Sequence, residues 1–362
     1  MDFSLSEEQH MLQESISRLL TTECPLNDIR ELVDSGGDCL TEVQQKIAES
    51  GVAGILIPEN LGGVGLTLLD AALIAESLGG AVAPVPFIAC SVMAPVALLE
   101  AGSDEQKEKW LPQIASGAAI FGTGVTEQIG NREDRGITAS ADGLNGTAMF
   151  VLDGMSADML IIADDSGCMH LVDSQASGLS RQKLKTIDRT RTVAEVILDG
   201  VTSEPLPGSR SNREPLLKTI DAGRLMLAAD TLGAAQYMLE KSIAYAKERK
   251  QFNRVIGSFQ AVKHMCSEMV AELEPCRSLI WYAAYAGTSI PAEARMMACH
   301  AKAHLSEVGQ FVARTATEIH GGMGVTDLLG LHYWFKRIGF NRQLLGAPEL
   351  VREEAARAQG WV

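Results

Sequence analysis

Residues 245–260 read YAKERKQFNRVIGSFQ. Tyr245 to Arg249 carry the spacing of a helix end, and Gly257 permits a turn into a new helix starting at Ser258 or its neighbours. The free N–H groups of such a helix start favour anions. Arg249 sits where the first helix gives way to the loop, and its fixed fork of donors suits a pyrophosphate better than the point charge of a lysine. Gln251 adds an amide, and Phe252 offers a flat face for an adenine or ribose. Alone, the stretch also reads as a plain helix–loop–helix with Arg249 paired to Glu248 or another carboxylate.

Working outward, helix is expected from near Leu216 to Lys250, a rod of roughly 50 Å at 1.5 Å per residue. Leu225, Ala229, Leu232, Gln236, Leu239, Ile243 and Ala246 lie along one seam, and Ala228, Ala235 and Ala244 would admit a neighbouring helix closely. Further helices are expected at Phe259 to about Glu274, Pro291 to Ile319 and Pro348 to Gln359. Upstream, residues 119–205 hold short β-rich runs, including 149–152, 159–162, 169–172 and 193–198, broken by Asp-Gly, Asn-Gly and Ser-Gly turns. Residues 205–215 read as a surface connection. Residues 1–118 read as helical: Ser6 to Gln9 and Thr41 to Gln44 are capping-box signatures, 68–78 is helix, and 103–115 is an amphipathic helix with Trp110 on its apolar side. The fold class is thus α+β: a helical N-terminal domain (1–118), a β-barrel or sandwich domain (119–205) and an antiparallel helical bundle (206–362).

The 362 residues are 46% hydrophobic and 21% charged, with formal charge −15. That is ample for buried cores and argues against nucleic acid or an anionic membrane as partner. A local basic pocket for an anionic ligand remains open. Seven scattered cysteines without a C-x-x-C pair fit reduced thiols in a cytoplasmic protein and no metal site. The acidic N-terminus is unlike a signal peptide. The uncharged stretch 78–99 is broken by Pro84, Pro86 and Pro95, which indicates buried helix rather than a membrane span.

This three-part order, with YAKERKQFNRVIGSFQAVKH in the third part, resembles the acyl-CoA dehydrogenase family across essentially the whole chain. The resemblance implies FAD shared between the β domain of one subunit and the bundle of its neighbour. It also implies removal of an α-proton from an acyl-CoA thioester by a base, with electrons passed on to an electron-transferring flavoprotein. On this resemblance Arg249, Gln251 and Phe252 are cofactor candidates. So are Gly321 and Gly322 of Glu318-Ile-His-Gly-Gly-Met-Gly324, with Glu318 standing where the family has Gln. A glycine cap alone is the other reading of that segment.

The remaining family motifs are degraded. From the V-T-E-P strand, Val125, Thr126 and Glu127 survive, the first two as cofactor candidates, followed by the bulky, charged Gln128 to Glu133. The W-I-T-N-G segment reads Phe150 to Gly154, and Leu152 has no hydroxyl for flavin N5. The two base positions hold Leu345 and Gly223, neither of which accepts a proton. Asp221 and Glu349 are the nearby carboxylates, but Asp221 should point about 200° away from Gly223, and Glu349 suits the first turn of the last helix. The pattern is that expected of the base-less subunit of a heterotetramer (α2β2) with a homologous catalytic subunit, and E-R-K-Q-F-N resembles the steroid and bile-acid side-chain branch. A self-sufficient enzyme using Asp221 or Glu349, and a non-catalytic scaffold or CoA-binding protein, are the alternatives. His300 and His304 read as ordinary helix histidines, His320 as either packing or a cofactor contact, Arg224 as either an active-site or a buried structural arginine, and 333–337 as packing and interface.

Overall fold

The computed structural model describes residues 4–130 and 136–362; Arg132 and Glu133 of the degraded β-domain motif lie outside the described residues. The first helices are α1 (Glu7–Glu23), α2 (Leu26–Ser35) and α3 (Thr41–Glu49). The Ser6 box forms as expected: Ser6 Oγ accepts Gln9 N–H at 3.2 Å and Gln9 Oε1 accepts Ser6 N–H at 3.0 Å. The Thr41 box does not form, and Leu40 is the N-cap of α3 without a side-chain bond. The reason is tertiary. Leu40 N–H donates to Pro84 O at 3.0 Å, which pins the entering chain and draws Thr41 into the first turn.

After α4 (Leu68–Gly80), the uncharged stretch makes a wide π-type turn, Phe87–Met93, that runs into α5 (Ala94–Ala101) and is fully buried. No described helix is long and apolar enough to cross a membrane. In α6 (Asp104–Ala115), Trp110 meets Phe121 of the β region edge-on at 5.5 Å.

Strands β1 (Phe121–Gly124), β2 (Gly136–Ser140), β3 (Gly143–Leu152), β4 (Met159–Ala163), β5 (Met169–Asp173), β6 (Leu179–Lys183), β7 (Val193–Val201) and β8 (Glu204–Pro205) form one mixed eight-stranded sheet. Its order is β6-β7-β3-β1-β4-β5-β8, with β2 on β3. β1 and β4 run parallel while the other pairs are antiparallel. The period of two sorts the side chains. Leu160, Ile162, Val172, Val196 and Leu198 fill the sheet's own core, while Met159, Ile161, Met169, Leu171 and Val193 face the helices.

The bundle is α7 (Glu214–Glu248), α8 (Gln260–Ser289), α9 (Pro291–His320), α10 (His332–Gln343) and α11 (Pro348–Ala358). Between α7 and α8 lies a small hairpin, β9 (Lys250–Gln251) with β10 (Arg254–Val255). Helix α8 runs fifteen residues past the expected stop, carrying Pro275 inside it. Its apolar seam, Met269, Leu273, Cys276 and Ile280, continues through the proline, and Ala271 and Pro275 face solvent, so water can take the freed carbonyl. Helix α10, whose residues 333–337 read in sequence as packing and interface, is held by Trp334: its ring stacks on Tyr237 at 3.9 Å and its Nε1–H donates to Gly80 O at 2.8 Å.

Of the alanines expected to admit close neighbours, Ala228 and Ala235 are buried but Ala244 is exposed. The tightest crossing is made by glycine instead: a Cβ on Gly79 of α4 would collide with Asp230 O, and one on Gly233 of α7 with Glu76 O.

Candidate dinucleotide surface and a closed base position

Arg249 caps α7, its N–H donating to Tyr245 O at 2.8 Å and its carbonyl accepting Ile256 N–H at 2.7 Å. The hairpin that follows turns on Phe252 and Asn253, with φ of 53° and 60°. Two left-handed residues make the twist a two-residue hairpin needs, but phenylalanine is poorly suited to that region. The strained turn holds the Phe252 ring 86% exposed, edge-on to Phe259 at 6.1 Å. Gln251 is exposed as well. Among the described residues no carboxylate pairs with the exposed Arg249, so the expected alternative, a Glu248 salt bridge, does not form. Helix α8 begins at Gln260, and Ser258 bonds Val255 O rather than the helix start, leaving its first N–H groups without a side-chain cap.

Helix α9 ends at Gly321, whose φ of 58° and ψ of −141° suit only glycine. Gly321 and Gly322 are exposed, and a Cβ on either would meet nothing within 4 Å. His320 is buried, stacks on Tyr245 at 4.5 Å and bonds Ala316 O at 2.8 Å through Nδ1. It is therefore a packing residue that draws the ends of α7 and α9 together. Glu318 is exposed on α9 one turn before the glycines. An unpaired guanidinium, an exposed ring, uncapped helix N–H groups and two open glycines are each features that suit an anionic, aromatic dinucleotide, and the Tyr245–His320 contact brings the ends of α7 and α9 that carry them together.

The opposite half is closed. Val125 is buried and Thr126 half-buried, opening a single 3-10 turn. Glu127 turns inward to accept Met149 N–H at 3.1 Å, and Gln128 donates to Asp164 O at 2.6 Å. Leu152 pairs with Thr123 and is buried in the helix-facing core.

Both base positions converge. A Cβ on Gly223 would lie 2.6 Å from Leu345 Cδ1 and 2.7 Å from Met93 Sδ. Leu345 is 1% exposed at φ 55°, and its carbonyl accepts Arg224 Nε–H at 2.8 Å. Arg224 is fully buried and forks onto Glu354 at 2.7 and 2.9 Å, which makes it a structural clamp on the Leu345 turn.

Neither nearby carboxylate reaches this point. Asp221 points to α9, where Arg295 holds both its oxygens at 3.1 and 3.0 Å and Arg224 lies at 3.5 Å. Burial pushes its carboxyl up to about 6 against those two arginines. Glu349 is exposed in the first turn of α11, 3.3 Å from Arg342, and held below its ordinary value by its own backbone N–H.

Two elements of the site escaped the sequence reading. Met93 lies inside an uncharged stretch with nothing to single it out. Asp230, by contrast, is the one charge between Leu225 and Leu239, and such an isolated charge is a usable signal. It binds Arg337 at 3.1 Å, Arg191 at 3.0 Å and Asn341 at 2.6 Å. Burial alone would raise its carboxyl; Arg337 and Arg191 hold it below the usual range.

This three-part fold and this site define a class. Residues 6–118 match the acyl-CoA dehydrogenase N-terminal domain and residues 215–360 the acyl-CoA dehydrogenase C-terminal domain. Acyl-CoA dehydrogenase IpdE2 of Mycolicibacterium smegmatis is 31% identical over 359 residues, 99% of this chain and 100% of the relative. A variant of the Tcur3481-Tcur3483 steroid ACAD superposes with TM-score 0.89 at 29% identity, over 99% of both chains. The ChsE4-ChsE5 complex from Mycobacterium tuberculosis gives 0.91 at 26% identity, over 100% of both. The chain belongs to the acyl-CoA dehydrogenase family, FAD-dependent oxidoreductases of acyl-CoA thioesters.

Proposed function

We propose that this chain is the subunit without a base in a heterotetrameric (α2β2) acyl-CoA dehydrogenase, and that it lends its dinucleotide surface to a flavin shared with a homologous catalytic partner. One observation carries the reading: Leu345 and Met93 fill the space where either base would project, while Arg249, Gln251, Phe252 and the Gly321–Gly322 turn stand open. FAD, when bound, accepts the hydride leaving the acyl-CoA. In this chain Arg249 would neutralise the pyrophosphate, Phe252 would cover the adenosine, and the two glycines would let the backbone approach, with Gln251 and Glu318 flanking. Val125 and Thr126 would mark the edge of the chain's own β face, and Leu152, Leu345 and Met93 would keep that face dry and inert.

The likeness to a two-protein complex and to a steroid ACAD supports a partner subunit and an acyl-CoA of the steroid class, with a bile-acid side chain the related substrate. An electron-transferring flavoprotein would take the electrons. The units 1–118, 119–205 and 206–362 would act as the helical, β and bundle domains. A self-sufficient enzyme would need Asp221 or Glu349 freed from Arg295 or Arg342.

The test is co-expression with a homologous catalytic chain. The expected result is a colourless chain alone and a yellow tetramer with one flavin per pair. Arg249→Ala should loosen flavin about 10- to 100-fold, the worth of a lost charge-assisted contact, with Arg249→Lys intermediate. Full flavin occupancy in Arg249→Ala would remove its proposed role. A chain that is yellow alone and bleaches with an acyl-CoA would replace this reading with the self-sufficient one, and colourless complexes would favour the scaffold.

A further inference from the structure

The β4–β5 hairpin holds none of the residues assigned to the flavin and carries Asp164, Cys168 and His170, a D-x3-C-x-H spacing around the Ser166–Gly167 turn. All three side chains are buried, and one ligand atom from each lies within 4.8 Å of the others. Among the described residues this is the one such group, and the dehydrogenase reading gives it no work.

We propose that Asp164, Cys168 and His170 bind one divalent transition-metal ion of the zinc class. The donor set is right for that class: one thiolate, one imidazole and one carboxylate. A carboxylate and a thiolate also cancel a 2+ charge, which a buried site requires.

The surroundings orient each donor. Asp164 Oδ1 is taken by Ser166 N–H at 3.0 Å, Ser166 Oγ–H at 2.6 Å and Cys168 N–H at 3.0 Å, so the other oxygen, Oδ2, is the one presented to His170 Nε2 at 3.0 Å. His170 Nδ1 meets Ser203 Oγ at 3.1 Å, an outer partner that fixes the ring. Ser209 Oγ lies 3.7 Å from Cys168 Sγ. His170 and Ser203 also line an open cavity of about 310 Å³, which brings solvent to the imidazole side of the group. On binding, the Nε2···Oδ2 hydrogen bond opens, the imidazole proton moves to Nδ1 and is donated to Ser203, and the Cys168 thiol gives its proton to solvent. Three metal–ligand bonds form.

Seven scattered cysteines with no C-x-x-C pair, and a His300–His304 pair with no third ligand, carry no metal signature in sequence. The hairpin supplies instead three different donors at short range.

Cobalt(II) chloride added to the chelator-treated full-length chain tests the site. The expected result is one cobalt per chain, with a near-ultraviolet thiolate-to-cobalt band and visible bands of four-coordinate intensity, displaced by one equivalent of zinc. Cys168→Ser should abolish the charge-transfer band. His170→Gln should weaken binding at least tenfold, and Ser203→Ala about 10- to 100-fold as an outer partner. Ser203→Ala changes no ligand or core packing, so it keeps the test valid if either ligand variant fails to fold. No saturable cobalt band, or a band unchanged in Cys168→Ser, overturns the proposal.

Discussion

At the scale of single residues, the decisive feature is a leucine in the place of an acid. Leu345 is held in left-handed backbone at φ 55° by the Arg224–carbonyl bond and packs its side chain over Gly223. A side chain lining an open acyl pocket would lose little on truncation, because solvent or substrate already fills the space. A side chain plugging a core loses its transfer energy and leaves a cavity. Leu345→Ala should therefore destabilise the chain by about 2–5 kcal/mol, measured as a shifted urea midpoint at unchanged slope. A loss under about 0.5 kcal/mol, the size of an ordinary surface change, would mean that this face of the fold is open after all. The sequence showed that the acid was absent. It could not show what had taken its room, since Met93 reaches Gly223 from 130 residues away through a π turn with no sequence signature of its own.

Among the elements, the β9–β10 hairpin is the one whose stability and use pull apart. Its turn places Phe252 and Asn253 at positive φ, a region that asparagine tolerates and phenylalanine does not, at a difference of about 1 kcal/mol. Phe252→Asn should stabilise the free chain by about that amount while weakening flavin retention in the complex. Unfolding midpoints and flavin content, measured on the same preparation, check both halves. A variant that is more stable and equally yellow would deny Phe252 its place against the adenosine. Elements written in local signals were legible: α1 from its cap, α7 from its long apolar seam, and α9 and α11 from Pro291 and Pro348. Those decided at long range were not. Pro275 reads as a stop and is overruled by the packing of α8, Thr41 reads as a cap and is overruled by the Leu40–Pro84 bond, and α10 takes its place from Trp334 and Arg337.

Across the whole molecule, three parts are tied at one buried charge centre. Arg337 of α10 donates to Ala83 O at 2.8 Å, Thr190 O at 3.1 Å and Asp230 at 3.1 Å, so a single guanidinium joins the N-terminal helices, the segment between β6 and β7, and α7. Asp153 is close enough to feel that centre. Burial pushes its carboxyl up to about 7, with Arg191 and Arg337 opposing. Between about pH 4 and 7 the folded chain thus keeps a proton that the unfolded chain, with an ordinary carboxyl, has released. Stability falls across that window by about 1.4 kcal/mol per pH unit and levels off above it. Asp221, at about 6, adds to the same fall over the lower part of the window. Asp230 and Glu354, held low, act only below it.

Lys302 works in the opposite sense. It is buried with its Nζ donating to Asn341 O at 2.7 Å and Arg342 O at 3.1 Å, and burial, then Arg224 and Arg342, bring it down to about 7. From about pH 7 the unfolded chain holds a proton on this lysine that the folded chain lacks, and its contribution to stability rises again. Together these groups put a minimum near pH 7, and the rise ends at about pH 8, where the buried cysteines, pushed up by burial, keep protons that unfolded thiols release. Urea unfolding between pH 4.5 and 8 should show it, with Asp153→Asn flattening the acid limb and Lys302→Met the alkaline limb. Lys302→Met also carries a fixed loss of about 1–3 kcal/mol from the two orphaned carbonyls. An acid limb unchanged by Asp153→Asn would mean that Arg191 and Arg337 keep that carboxylate ionised, and that the centre is a fully charged lock at every pH in the range.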